Sequence, residues 1–176
     1  MNMVQDLAAR TLLLILVAAV VQDFMYMKIS NRLILMGILF SLAFGFMTGG
    51  LRQVLYVLVN ISFPVFVLYL FYLLGVLGAG DIKLFSIIGG FTNFKLLTGC
   101  MFYSFVAAAV IAVGKMLYNR NLRISVFKAG IFFRSIPREG LVSYHREWAE
   151  RRNLMHFSVP ILIGYMVAVL HWKLYR

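Results

Sequence analysis

Long hydrophobic runs separated by short polar stretches make up most of this sequence. Six such runs cover approximately residues 7–26, 33–48, 54–77, 80–94, 96–118 and 157–171. A helix needs about 20 residues to cross the roughly 30 Å hydrocarbon core of a bilayer, and most of the runs approach that length. The connections are short except for 119–155. The pattern predicts an all-α, polytopic membrane bundle of about six transmembrane helices, and a single domain over 1–176.

The composition excludes an ordinary soluble domain, because 62% of the 176 residues are hydrophobic and only 13% are charged. The net charge of +11 is dispersed over the loops, which favours anionic lipid headgroups over nucleic acid as partners. The single Cys100 forms no disulfide within the chain and is predicted to be a small core residue. The three histidines have no metal-ligand spacing, and neither a metal nor a cofactor is predicted.

The distribution of lysine and arginine predicts the orientation in the membrane. In a six-helix topology, twelve of the 17 basic residues fall on one side and five on the other, and the richer side is expected to be cytoplasmic. That side includes 119–155, predicted to be a basic cytoplasmic loop within the membrane domain. The loop either fixes the topology or docks substrate on the headgroup surface.

Acidic residues are scarce, and two of them border the hydrophobic runs. The chain has six: Asp6, Asp23, Asp81, Glu139, Glu147 and Glu150. An ionisable residue at a membrane span is a functional hypothesis by default, and the predicted topology places Asp23 and Asp81 at one cytoplasmic depth. Two carboxyl groups that share a site hold one proton between them, which suits the activation of water for attack on a peptide carbonyl. Asp23 and Asp81 are therefore predicted to be a catalytic pair.

Each aspartate also has a structural interpretation. Asp23 fits an interfacial acid neutralised by Lys28 or Arg32, and Asp81 fits a first-turn acid that caps its helix. Gly78 and Gly80 permit a tight turn, positive φ angles and the close approach of a substrate backbone, although small residues also suit helix packing. Lys83 either tunes the charge of Asp81 or anchors to headgroups.

Two segments of the sequence resemble the type IV prepilin peptidase family of membrane aspartyl proteases. They are Asp23 followed by Lys28-Ile29-Ser30-Asn31, and Gly78-Ala79-Gly80-Asp81-Ile82-Lys83-Leu84, which contains the family's Gly-x-Gly-Asp motif. Phe157-Ser158-Val159-Pro160 also resembles the apolar, Pro-containing start of the family's last helix. The resemblance implies the Gly-x-Gly-Asp protease fold, with Asp23 and Asp81 as catalytic residues. The residues predicted to bind the substrate or its backbone are Asn31, Gly78, Gly80 and Lys83. Ser30 stands where the family usually has proline, a change expected to loosen the turn.

The resemblance implies cleavage of the basic leader from pilin-like precursors, at the cytoplasmic face of a prokaryotic inner membrane. The long, bifunctional members carry Cys-x-x-Cys pairs before the first core helix. This chain resembles instead the short, peptidase-only members of tight-adherence pili, so N-methyltransferase activity is not expected. The alternatives are an archaeal-type preflagellin peptidase, a small proton-coupled transporter that uses Asp23 and Asp81, and a non-catalytic assembly factor. The sequence leaves the oligomeric state open.

Overall fold

The computed structural model describes residues 3–74, 77–118 and 157–174, and every element within these ranges is a helix. In chain order they are α1 (Met3–Tyr26), α2 (Asn31–Leu73), α3 (Ala79–Phe91), α4 (Phe94–Tyr118) and α5 (Ser158–Leu174). Each of the six predicted hydrophobic runs lies largely on one of these helices, so the all-α prediction is confirmed for this part of the chain. The predicted basic loop 119–155 lies outside the described residues.

α2 contains two of the predicted runs and reverses direction between them. The backbone leaves helical geometry at Gly49 and Gly50, and Gly50 has φ 63° and ψ −152°, a region that essentially only glycine occupies. A Cβ at Gly45 would lie 3.1 Å from Cγ2 of Val57, whereas residues twelve apart in a straight helix are about 18 Å apart. The two halves of α2 therefore lie side by side.

α3 is the most buried helix of the described chain. Its eight buried residues are Ile82, Leu84, Phe85, Ser86, Ile87, Ile88, Gly89 and Gly90. α3 packs most extensively on α2, and it also contacts α1 and α5. The Phe91 ring lies 5.9 Å from the Phe44 ring, and Nδ2 of Asn60 donates to the Thr92 carbonyl over 3.1 Å. Both halves of α2 thus hold the C-terminal end of α3.

Three described helices are long and apolar enough to be candidate membrane spans: Asp6–Tyr26, Asn31–Leu73 and Phe94–Lys115. α5 is a shorter apolar helix. Large apolar side chains stay exposed on these helices, with Phe66 at 88% and Leu14 at 70%, as expected of surfaces that face lipid. The described residues up to 107, together with 157–174, belong to one compact unit, which contains all the candidate site residues.

Candidate active site

Asp23 lies in the last turn of α1 and is half-buried. The hydroxyl of Ser158, the first residue of α5, donates a hydrogen bond to Oδ2 of Asp23 over 2.6 Å. Ser158 is only 1% exposed. A hydroxyl-to-carboxylate bond of this length is among the strong, charge-assisted hydrogen bonds. It joins the end of α1 to the beginning of α5 and fixes the direction of the Asp23 carboxylate.

Asp81 lies in the first turn of α3, outside the three candidate spans. The backbone N–H of Gly78 donates to its Oδ2 over 3.1 Å, and the N–H of Asp81 donates to the Gly78 carbonyl. The structural interpretation of Asp81 as a helix cap is therefore correct. A capping role is compatible with a catalytic one, because the cap holds the Asp81 carboxyl group at the helix N-terminus in a defined orientation.

The carboxyl group of Asp81 has a raised pKa. Burial raises the pKa of Asp81 from its ordinary value of 3.8 to about 6, the N–H of Gly78 opposes that rise, and the negative charge of Asp23 adds to it. Since α1, α3 and α5 all contact one another, three helix ends converge here. They are the C-terminus of α1 and the N-termini of α3 and α5.

The residues predicted to surround the substrate lie beside this convergence and contact each other. Nζ of Lys83 donates to Oδ1 of Asn31 over 2.9 Å, and both side chains are exposed. A Cβ at Gly80 would lie 3.3 Å from Cδ1 of Ile29, so the short connection between α1 and α2 packs directly on the first turn of α3. The two sequence segments that carry the family resemblance are therefore neighbours in space.

The expected positive φ angles at the motif glycines are not observed. Gly78 has φ −77° and ψ 151°, Gly80 lies within α3, and Gly50 is the described glycine with positive φ. The physical reason is that Gly78 is the N-cap of α3, a position that takes extended backbone angles. Close approach, the other property expected of these glycines, is present at Gly80.

Sequence reasoning missed two polar contacts of the site. One is the hydrogen bond from Ser158 to Asp23; the other joins the N–H of Ser30 to Oε1 of Gln22 over 3.0 Å. Their signals in the sequence are weak: Ser158 is a polar residue at the start of an apolar run, and Gln22 is the neighbour of a candidate catalytic residue.

Within the described ranges no group of three His, Cys, Asp or Glu side chains is placed to hold a metal ion.

Such an arrangement suits proton transfer. With a pKa of about 6, the Asp81 carboxyl group is able both to hold and to release a proton near neutral pH.

A family model, that of the type IV leader peptidase family, matches residues 11–113. This range contains Asp23 and Asp81 and covers more than half of the chain. No curated protein and no solved structure matches the chain.

Proposed function

Because the chain belongs to the type IV leader peptidase family, we propose that it is an aspartic endopeptidase whose catalytic pair is Asp23 and Asp81. The observation that carries the proposal is geometric: the end of α1, with Asp23, lies beside the first turn of α3, with Asp81, because Ile29 packs on Gly80 and the two helices contact each other. Of the other four acidic residues, Asp6 lies at the opposite end of α1 from Asp23, and three belong to 119–155. Family membership and the three apolar spans together indicate an integral membrane protein.

The proposed reaction is hydrolysis of one peptide bond. The ionised carboxylate accepts a proton from water while the water oxygen attacks the carbonyl carbon, and the protonated carboxyl group hydrogen-bonds the developing oxyanion. The tetrahedral intermediate then collapses, the C–N bond breaks, and the leaving amine takes up the proton that the carboxylate had accepted from water. The cycle ends with one proton again shared by the pair.

The proposed substrates are pilin-like precursors with a short basic leader before a hydrophobic helix. The excess of basic residues on one side supports a cytoplasmic site in a topology of about six crossings. α2 contributes two of these, and the first turn of α3, with Asp81, lies in the headgroup layer. The scissile bond of such a precursor lies at this same interface. The proposed activity is leader cleavage without N-methylation.

The test is leader cleavage in cells that co-express the protein and a type IV pilin-like precursor. Asp23→Asn and Asp81→Asn remove one charge each and keep the side-chain shape, so each is expected to lower cleavage by at least about 100-fold. Asp6→Asn is the matched control, because Asp6 lies in the first turn of α1, at the opposite end from Asp23, and it should cleave like wild type. Efficient cleavage by either catalytic variant, at equal membrane abundance, would refute the proposal.

A further inference from the structure

Ser158 differs from the other buried serines of the described chain in the partner of its hydroxyl. The hydroxyls of Ser41, Ser86 and Ser104 each donate to a carbonyl of the preceding turn of their own helix, the usual arrangement in apolar helices. Ser158 is the first residue of α5 and has no preceding helical turn. Its hydroxyl donates instead to Asp23 on α1, a residue 135 positions away.

We infer that Ser158 is a positioning residue for peptide-bond cleavage: its hydroxyl holds Oδ2 of Asp23 and so fixes the orientation in which this carboxylate meets the attacking water. The inference rests on the proposed function, because it gives Ser158 a role only through Asp23. A hydroxyl has a single proton to donate. When that proton is given to Oδ2, the rotation of the carboxyl group about its Cβ–Cγ bond is restricted.

The burial of Ser158 determines which kinetic constant should respond. With 1% of its surface exposed, the side chain is shielded from a peptide bound at the site. Loss of the hydroxyl should therefore leave substrate binding unchanged and misorient the carboxylate in the chemical step, which lowers kcat and leaves KM in place. A residue that merely stabilises the fold would instead lower the amount of active enzyme and leave both constants of the surviving enzyme as they were.

The experiment measures kcat and KM in detergent-solubilised or reconstituted full-length protein, with active enzyme quantified by folded fraction. Ser158→Ala is expected to lower kcat roughly 10- to 100-fold, the range for one hydrogen bond to a charged group, with KM within about 2-fold of wild type. Ser158→Thr and Ser158→Val form a matched pair that differs only in the hydroxyl, so any packing penalty is common to both. The threonine variant should recover kcat, and the valine variant should be as slow as alanine.

Ser104→Ala is the control for loss of a buried hydroxyl, because Ser104 bonds its own helix and lies outside the site; its kcat should equal that of wild type. The inference is overturned if Ser158→Ala keeps kcat within about 2-fold, or if threonine and valine variants are equally slow. Asp23→Asn and Asp81→Asn are assayed in parallel. If they retain activity, the proposed function fails; if they are inactive while Ser158→Ala is fully active, only the role of Ser158 fails.

Discussion

Lys83 and Asn31, which are 52 positions apart, are joined by a hydrogen bond of 2.9 Å from Nζ to Oδ1. Lys83 lies on the first turns of α3, and Asn31 is the first residue of α2. Both were predicted to bind the substrate or its backbone, and the bond holds their side chains together near Asp81. A substrate group that contacts Lys83 would therefore meet a side chain whose position is already restricted by Asn31.

A double-mutant cycle on this pair should show a small, measurable coupling. Lys83→Met and Asn31→Ala each remove one partner, and because both side chains are exposed we expect a coupling free energy of about 0.5 to 1 kcal/mol. The measurement is thermal unfolding in detergent of the wild type, both single variants and the double variant. Strictly additive effects would show that the bond contributes nothing to stability.

The contact of Gln22 with Ser30 should depend on the residue at position 30. Ser30 has φ −68°, an angle that proline also adopts, but proline has no N–H to donate to Oε1 of Gln22. Gln22→Ala is therefore expected to cost about 0.5 to 1.5 kcal/mol of unfolding free energy in the wild type and nothing in a Ser30→Pro background. An equal cost in both backgrounds would mean that Gln22 stabilises the protein by some other contact.

Substitution by alanine should change the stability of the protein in opposite directions at Gly50 and at Gly99. A Cβ at either position meets no atom within 4 Å, so space does not distinguish them. Gly50 has positive φ, and alanine there should destabilise the protein by about 1 to 3 kcal/mol. Gly99 lies inside α4, where alanine should stabilise by up to about 1 kcal/mol. Thermal unfolding of the two variants checks this, and a stable Gly50→Ala protein would contradict the reversal within α2.

The raised pKa of Asp81 predicts a stability that falls with pH. Since the folded protein holds the proton up to a pKa of about 6 and the ordinary value is 3.8, the folded state is favoured at low pH. That advantage is lost as the pH rises from about 4 through 6. Asp81→Asn removes the charge and keeps an oxygen to accept from Gly78. At pH 7.5 its free energy of unfolding should therefore exceed that of wild type by at most about 2 to 3 kcal/mol, which thermal unfolding measures.

The difference between Asp81→Asn and wild type should shrink as the pH falls from about 6 and vanish near pH 4, where the wild-type carboxyl group is protonated in both the folded and the unfolded state. Asp81→Ala is the companion variant: it removes the charge and also the cap of α3, and should be less stable than Asp81→Asn. If the asparagine variant were no more stable than wild type at pH 7.5, burial of Asp81 would carry no energetic cost.

The positions of the helices along the chain could be predicted from hydrophobicity, but the face that each helix turns toward its neighbours could not. The break between the runs 33–48 and 54–77 corresponds to the reversal at Gly49 and Gly50, and the predicted burial of Cys100 is confirmed at 0% exposure. A helix that is apolar all round gives no amphipathic stripe to show which face packs inward. The sequence therefore placed Asp23 and Asp81 at helix ends without revealing that Ser158 reaches Asp23.

Long-range polar contacts were the other unpredictable part. Lys83 with Asn31 and Ser158 with Asp23 depend on which helices become neighbours, and nothing local in the chain determines that. The Gln22 contact with Ser30 spans only 8 positions, but it requires the α1–α2 connection to fold back on the last turn of α1. The catalytic roles of the two aspartates stay predictions that the cleavage assay decides.

The reversal within α2 has a consequence for how the chain enters a membrane. Only Gly49 and Gly50 leave helical geometry where α2 reverses direction. The two halves of α2 therefore form a helical hairpin with a very short connection, and little polar backbone has to cross the bilayer. Such a hairpin is able to insert as one unit, with both ends left on the side from which it entered. Those ends lead to Asn31 and to Gly78, so insertion of the hairpin as one unit would bring both sequence segments of the site to the same surface.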